Sequence, residues 1–150
     1  MNTIKQHIYE ACQFYIDQRV KTIENAIASA KEAASDDTKS SAGDKYETTR
    51  EMMQQEIDRN TAQLNEALKL KQALSLIDPQ QQSTVAQNGS LVITNNGNFY
   101  LSISAGAIDI DGTIYFAVSP VSPIGNKLLK LKRGDSIRFN GKDYQVNELL

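Results

Sequence analysis

Apolar residues recur along the N-terminal part of the chain at steps of three and four: Ile4, Ile8, Cys12, Ile16, Val20, Ile23, Ile27, Ala30 and Ala34. That spacing returns each side chain to one face of an α-helix, and no Gly or Pro interrupts it before Gly43. The stripe narrows from Ile and Val to Ala, which lets a partner helix come close at the far end. A second stripe runs Tyr46, Met53, Ile57, Leu64, Leu68 and Leu74, with Asn60 and Lys71 as polar interruptions. It ends near Ile77, before the stop Asp78-Pro79. Between the stripes, Ser35 to Glu51 is rich in Asp, Thr, Ser and Gly, which close one helix and open another. The pattern predicts an antiparallel coiled-coil hairpin over residues 1–77. At about 1.5 Å per residue its tip stands roughly 45 Å from its base.

Residues 78–89 are polar and aperiodic and mark a domain boundary. From residue 90 the period changes. Leu91-Val92-Ile93 and Phe99 to Ile103 flank Asn96-Gly97, Ile108-Asp109-Ile110 and Ile114 to Val118 flank Asp111-Gly112, and Ser136 to Phe139 and Tyr144 to Val146 flank Asn140-Gly141. Asn-Gly and Asp-Gly suit type I′ turns, whose two central residues need positive φ, so residues 90–150 predict a small antiparallel sheet. Ser122 suits a helix cap, Pro123 the first helical position and Gly134 the end, with Leu128, Leu129 and Leu131 supplying an apolar face. This short helix is expected to plug one face of the sheet. The fold class is α+β. The aromatics Phe99, Tyr100, Tyr115, Phe116, Phe139 and Tyr144 fall at strand positions and are assigned to the core.

Charge refines this picture only locally. The net charge of −2 offers no whole-molecule field for nucleic acid or an anionic membrane. The acid excess lies in residues 1–89, with 13 Asp and Glu against 10 Lys and Arg. His7 is the only histidine, so no His-based metal site or catalytic triad can assemble within the chain. Cys12 is the only cysteine and lies on the apolar stripe, which reads as a small buried residue in a reducing compartment. The polar opening and the lack of a membrane-length apolar run point to the cytosol.

Candidate chemistry concentrates at the hairpin tip. Asp37, Asp44 and Glu47 present hard oxygen ligands suited to Mg²⁺, which takes one or two carboxylates from a protein. Asp44-x-x-Glu47 is equally a capping-box pattern, and Asp36 and Asp37 suit the close of the first helix. A capping acid keeps lone pairs for a metal, so the two roles coexist. Asp109-x-Asp111-Gly112 has the front of a calcium loop without its later ligands and is assigned to a hairpin turn. Lys127, Lys130, Lys132 and Arg133 form a basic run, either a solvated helix face or part of a docking surface.

Two segments resemble the bacterial Gre transcript-cleavage factors. Gly43-Asp44-Lys45-Tyr46-Glu47 resembles that family's tip motif, and Ser122-Pro123-Ile124-Gly125 with Leu128-Leu129 and Gly134-Asp135 resembles its C-terminal signature. With the order of parts, the resemblance spans nearly the whole chain. It implies an FKBP-like C-terminal domain and a monomer that enters the secondary channel of RNA polymerase. It also implies that Asp44 and Glu47 are donated to the polymerase's Mg²⁺, that Asp36, Asp37, Lys45 and Tyr46 are accessory at the tip, and that backtracked RNA is cleaved there. Ser122, Pro123, Ile124, Gly125, Lys127, Lys130, Lys132 and Arg133 are the candidates for docking. The chain would have no catalytic site and no stably bound cofactor of its own, and would meet RNA and DNA only indirectly. Lys45-Tyr46 replaces the family's Leu-Ser, and Thr48 its Asn. A channel-binding regulator without cleavage activity is the alternative within the family, and a coiled-coil adaptor for another protein the alternative outside it.

Overall fold

The computed structural model describes the backbone of residues 3–40 and 44–150 and the side chains of 3–35 and 48–150. Two long helices come first, α1 over Thr3–Ser40 and α2 over Asp44–Ser75. Six strands follow: β1 Leu91–Thr94, β2 Gly97–Leu101, β3 Gly106–Ile110, β4 Thr113–Val118, β5 Ser136–Phe139 and β6 Lys142–Leu149, with the short helix α3, Pro123–Leu128, between β4 and β5. No described helix is long and apolar enough to cross a membrane. The chain divides into two compact units, Ile16–Lys71 and Met1–Tyr15 with Gln72–Leu150.

In the helical unit α1 and α2 pack antiparallel. Lys71 Nζ lies 3.4 Å from the Asp17 carboxylate, and one notch is lined by Glu24, Ile27, Ala28 and Lys31 from α1 and Thr61 and Leu64 from α2. Positions 17 and 71 add to 88, as do 24 and 64, and 27 and 61. The α1 stripe turns inward as its spacing predicts, with Ile16, Ile23 and Ala30 buried and Val20, Ile27 and Ala34 half-buried. On α2 the inward path is Met53, Ile57, Asn60, Leu64 and Ala67, in heptad steps of four and three. Leu68, expected on the stripe, is 44% exposed, while Ala67 is 0% exposed. The seam takes the small residue that keeps the heptad step over the larger one beside it.

The sheet order is β3-β4-β2-β1-β6-β5. Four of the five pairings are antiparallel, and β2 with β4 is parallel. That parallel pair is not announced by any turn signal, because it joins two hairpins through a crossover. Two of the expected type I′ turns form, with positive φ at Asp111 and Gly112 and at Asn140 and Gly141. The first hairpin differs: Thr94 pairs with Gly97, so Asn95 and Asn96 are central, and of the turn residues only Gly97 has positive φ. Thr94 stabilises this alternative, its hydroxyl donating to the Gly97 carbonyl at 2.6 Å and accepting from Asn96 N–H at 3.1 Å.

One face of the sheet carries a core of Val92, Phe99, Leu101, Tyr144 and Val146, closed by Leu128 of α3 and by Ala86. Residues 78–89 are tied to it by backbone: Ala86 N–H donates to Leu131 O, Lys130 N–H to Ala86 O, and Gly89 N–H to Leu101 O. The other face, with Leu91 and Tyr100, belongs to a unit that also buries Ile8, Cys12, Leu74 and Ile77. Phe116 departs from the expected core set at 39% exposed, although it stacks on Phe99 with centroids 5.8 Å apart. It lies on β4, one strand in from the sheet edge.

Candidate functional site

The tip acids occupy defined helical positions. Asp44 and Glu47 are the first and fourth residues of α2, Lys45 and Tyr46 stand between them, and Asp36 and Asp37 are in the last turns of α1. The side chains of all six lie outside the described residues. Two acids three apart in a helix share one face. Among the described residues, no group of three His, Cys, Asp or Glu side chains is placed to hold a metal. The hairpin notch, about 410 Å³, is lined by the charged Glu24 and Lys31 together with Ile27, Ala28, Thr61 and Leu64.

The Ser122-Pro123-Ile124-Gly125 segment is built by local chemistry. Ser122 caps α3: its Oγ accepts from Gly125 N–H at 3.2 Å and donates to Ser119 O at 2.6 Å. Pro123 fills the first helical position, where a missing N–H costs nothing. Ile124 packs against the sheet core, and Gly125 is buried because the Ser119 carbonyl occupies the space of a β-carbon. The helix stops at Leu128, well short of Gly134, since Lys130 adopts positive φ and gives its N–H to Ala86 O. Gly134 instead serves the turn into β5, where Asp135 accepts from Lys132 N–H at 2.8 Å.

Of the docking candidates, Ser122 and Gly125 therefore face inward, whereas Pro123, Lys127, Lys130, Lys132 and Arg133 are exposed, beside Val121 at 90% exposure. None of those four cations is in a salt bridge among the described residues. Arg133 also borders an open groove of about 670 Å³ with Gln82, Ser83, Thr84, Glu148 and Leu149.

Lys5, Cys12 and Tyr100 are buried in the same unit, Cys12 and Tyr100 as their positions on the stripe and the strand predict, and Lys5 outside the expected core set. Lys5 is 1% exposed, and its Nζ donates to Gln81 O at 2.5 Å. Burial lowers its pKa from 10.5, and the charge of Asp78 opposes that shift. Its step of three to Ile8 continues the stripe, which is the signal that would have found it. Cys12 Sγ lies 3.9 Å from Ser102 Oγ; burial pushes the thiol up to about 11, with the Ser102 contact acting the other way. Tyr100 is fully buried, and among the described residues its hydroxyl has no hydrogen-bond partner. Its pKa is raised by burial first, then by Cys12 and Tyr9. A thiol and a phenol held protonated are poor nucleophiles at neutral pH, so this cluster reads as structural.

No protein-family model matches the chain, and no curated protein matches it in sequence.

Proposed function

We propose that this chain is a cytoplasmic regulator of bacterial RNA polymerase of the Gre type, which enters the secondary channel hairpin-first and acts as a monomer. The observation that carries the reading is the antiparallel pairing of α1 and α2 combined with where α2 begins, at Asp44-Lys45-Tyr46-Glu47. The segment of the helical unit in α2, residues 44–71, is about 42 Å long at 1.5 Å per residue, enough to carry a tip deep into a channel.

In this reading the chain has no catalytic site and supplies ligands to an ion held by the polymerase. Two carboxylates one helical turn apart fit a hard cation whose other ligands come from elsewhere. When bound, such an ion supplies an activated water for attack on a phosphodiester. Asp44 and Glu47 contribute oxygens and orientation. The sheet unit, taken as FKBP-like, docks through its exposed side, with Pro123, Lys127, Lys130, Lys132 and Arg133 in reach of a partner. RNA and DNA are met only through the polymerase. The inward-facing Ser122 and Gly125 support the docking surface from behind.

The test is transcript cleavage on a stalled, backtracked elongation complex of the cognate polymerase, comparing the natural chain with Asp44→Ala/Glu47→Ala at saturating concentration. The expected outcome is cleavage that falls at least about tenfold with both acids gone while binding is kept, as for loss of a group acting only in the transition state. Absence of polymerase binding overturns the reading and leaves the adaptor. Lys45, a cation between the two acids, favours a second reading in which the chain occupies the channel without promoting cleavage. Binding with no cleavage by the natural chain selects it.

A further inference from the structure

β3 is the outermost strand of the sheet on its side. In β4 the carbonyls of Ile114 and Val118 turn toward β2, accepting from the Asn98 side-chain amide at 3.3 Å and from Ser102 N–H at 2.9 Å. Backbone direction alternates along a strand, so Thr113, Tyr115 and Ala117 turn toward β3. The Ala117 carbonyl accordingly accepts from Ala105 N–H at 3.2 Å. Their register partners Ile110, Ile108 and Gly106 therefore bond to β4. The residues between, Ala107 and Asp109, direct their N–H and C=O groups away from the sheet, and both residues are exposed.

Sheet edges are usually blunted by charges, bulges or a covering element, because unpaired backbone invites another strand. β5, the opposite edge, presents Arg138 at an outward-bonding position. β3 presents Gly106 and Ala107, too small to block an approach, and one charge, Asp109. On the face shared by Ala107 and Asp109 the next residues inward are Phe116 and Ile114, 39% and 41% exposed. They form an apolar shelf beside the open backbone. Asp109 accepts from Gly112 N–H at 2.8 Å, and neither it nor Asp111 is in a salt bridge among the described residues.

We propose that the β3 edge binds an extended segment of a partner protein as a seventh strand, with an apolar side chain on the Ile114–Phe116 shelf and a Lys or Arg beside Asp109. Strand addition takes its affinity from the main chain and its selectivity from alternate side chains. The charge argues against a second copy: pairing β3 with itself about Ile108 puts the two Asp109 residues on one face as diagonal neighbours, roughly 7 Å apart, where like charges repel. A basic segment gains from the same carboxylate.

The experiment is a titration of the full ¹⁵N-labelled chain with the synthetic peptide acetyl-Val-Thr-Val-Thr-Lys-Thr-amide, and with the same peptide carrying Glu in place of Lys. The proposal expects the Ala107 and Asp109 amides to shift and to exchange more slowly with solvent. It expects the Glu peptide to bind about three- to tenfold more weakly, the scale of an exposed ion pair and its reversal. Ala107→Pro removes an outward N–H that the β3–β4 ladder does not use, so the fold survives and binding is lost. Asp109→Lys, which gives up the turn bond from Gly112 N–H but keeps the strand's own N–H and C=O groups, reverses the peptide preference. Shifts confined to other surfaces, no binding at millimolar peptide, or unchanged binding by both variants overturns the proposal. Self-association through Ala107 and Asp109 without peptide overturns it too and assigns the edge to a second copy.

Discussion

Gly125→Ala sets two principles against each other. In a helix the change from Gly to Ala is ordinarily worth about 1 kcal/mol of stabilisation. Here a β-carbon would stand 2.0 Å from the Ser119 carbonyl oxygen and 2.9 Å from Ser122 Oγ. Relief requires moving that carbonyl by more than an ångström, and it is held by Ser122 N–H at 3.0 Å and by the Ser122 hydroxyl at 2.6 Å. Losing the cap costs about 1 kcal/mol, and overpacking a tight site costs roughly 1–3 kcal/mol. Set against the helix gain of about 1 kcal/mol, the expected net loss is about 1–3 kcal/mol, roughly 2–12 °C in melting temperature. Urea unfolding followed by far-UV circular dichroism and tyrosine fluorescence measures it, since the chain has six Tyr and no Trp. Ser122→Ala alone should cost about 1 kcal/mol, and the double variant less than the two singles together, because one clash partner has gone. A Gly125→Ala chain as stable as the natural one, or more so, refutes the reasoning.

The helical seam makes a paired prediction: Ala67→Leu overpacks a fully buried position and should destabilise by about 1–3 kcal/mol, while Leu68→Ala, beside it and 44% exposed, should cost under about 1 kcal/mol in the same unfolding assay. Cys12 should resist a thiol-specific disulfide reagent at pH 8 in the folded chain and react freely in urea. Its thiol, raised in the folded state from 9.0 to about 11, keeps a proton there that the unfolded chain loses, so stability present below pH 9 drains away as pH rises toward 11, by about 3 kcal/mol at most. Cys12→Ala should flatten that alkaline limb, and an unchanged slope between pH 9 and 11 would count against the burial assigned to the thiol. Tyr100 adds a loss of the same sign above pH 10, which Cys12→Ala leaves in place.

Periodicity made most of the architecture legible. The α1 stripe, the cap and proline of α3, and two hairpin turns rest on signals a few residues long. What stayed hidden needed a partner to decide it. Whether Ala67 or Leu68 enters the seam depends on the heptad phase set by α1, and hydrophobicity favoured the wrong one. The parallel β2–β4 pair joins strands that are not neighbours in any hairpin, and Lys5 is buried only because Gln81 O is there to receive it. The first hairpin turned on the Thr94 hydroxyl, whose local bonds outweighed the Asn96-Gly97 signal. The seam, the parallel pair and Lys5 are tertiary contacts overriding a local preference, whereas the first hairpin is one local signal overriding another.

The Ser122-Pro123-Ile124-Gly125 segment shows why a motif and a docking site must be separated. Its cap, its helix start, its core contact and its excluded β-carbon account for all four residue types without any partner. Such a segment identifies how a chain folds, so it supports a shared architecture and carries no recognition by itself. In the proposed reading, recognition falls to what the segment holds outward, Pro123 and the Lys127 to Arg133 cations, whose charges have no internal ion-pair partners among the described residues. Under the proposed function, charge reversal at Lys127 and Lys130 weakens polymerase association and its salt dependence while leaving unfolding unchanged. Gly125→Ala should lower association only as far as it lowers the folded fraction. If the two kinds of variant behaved alike, the cations would be solvated surface and docking would lie elsewhere on the chain.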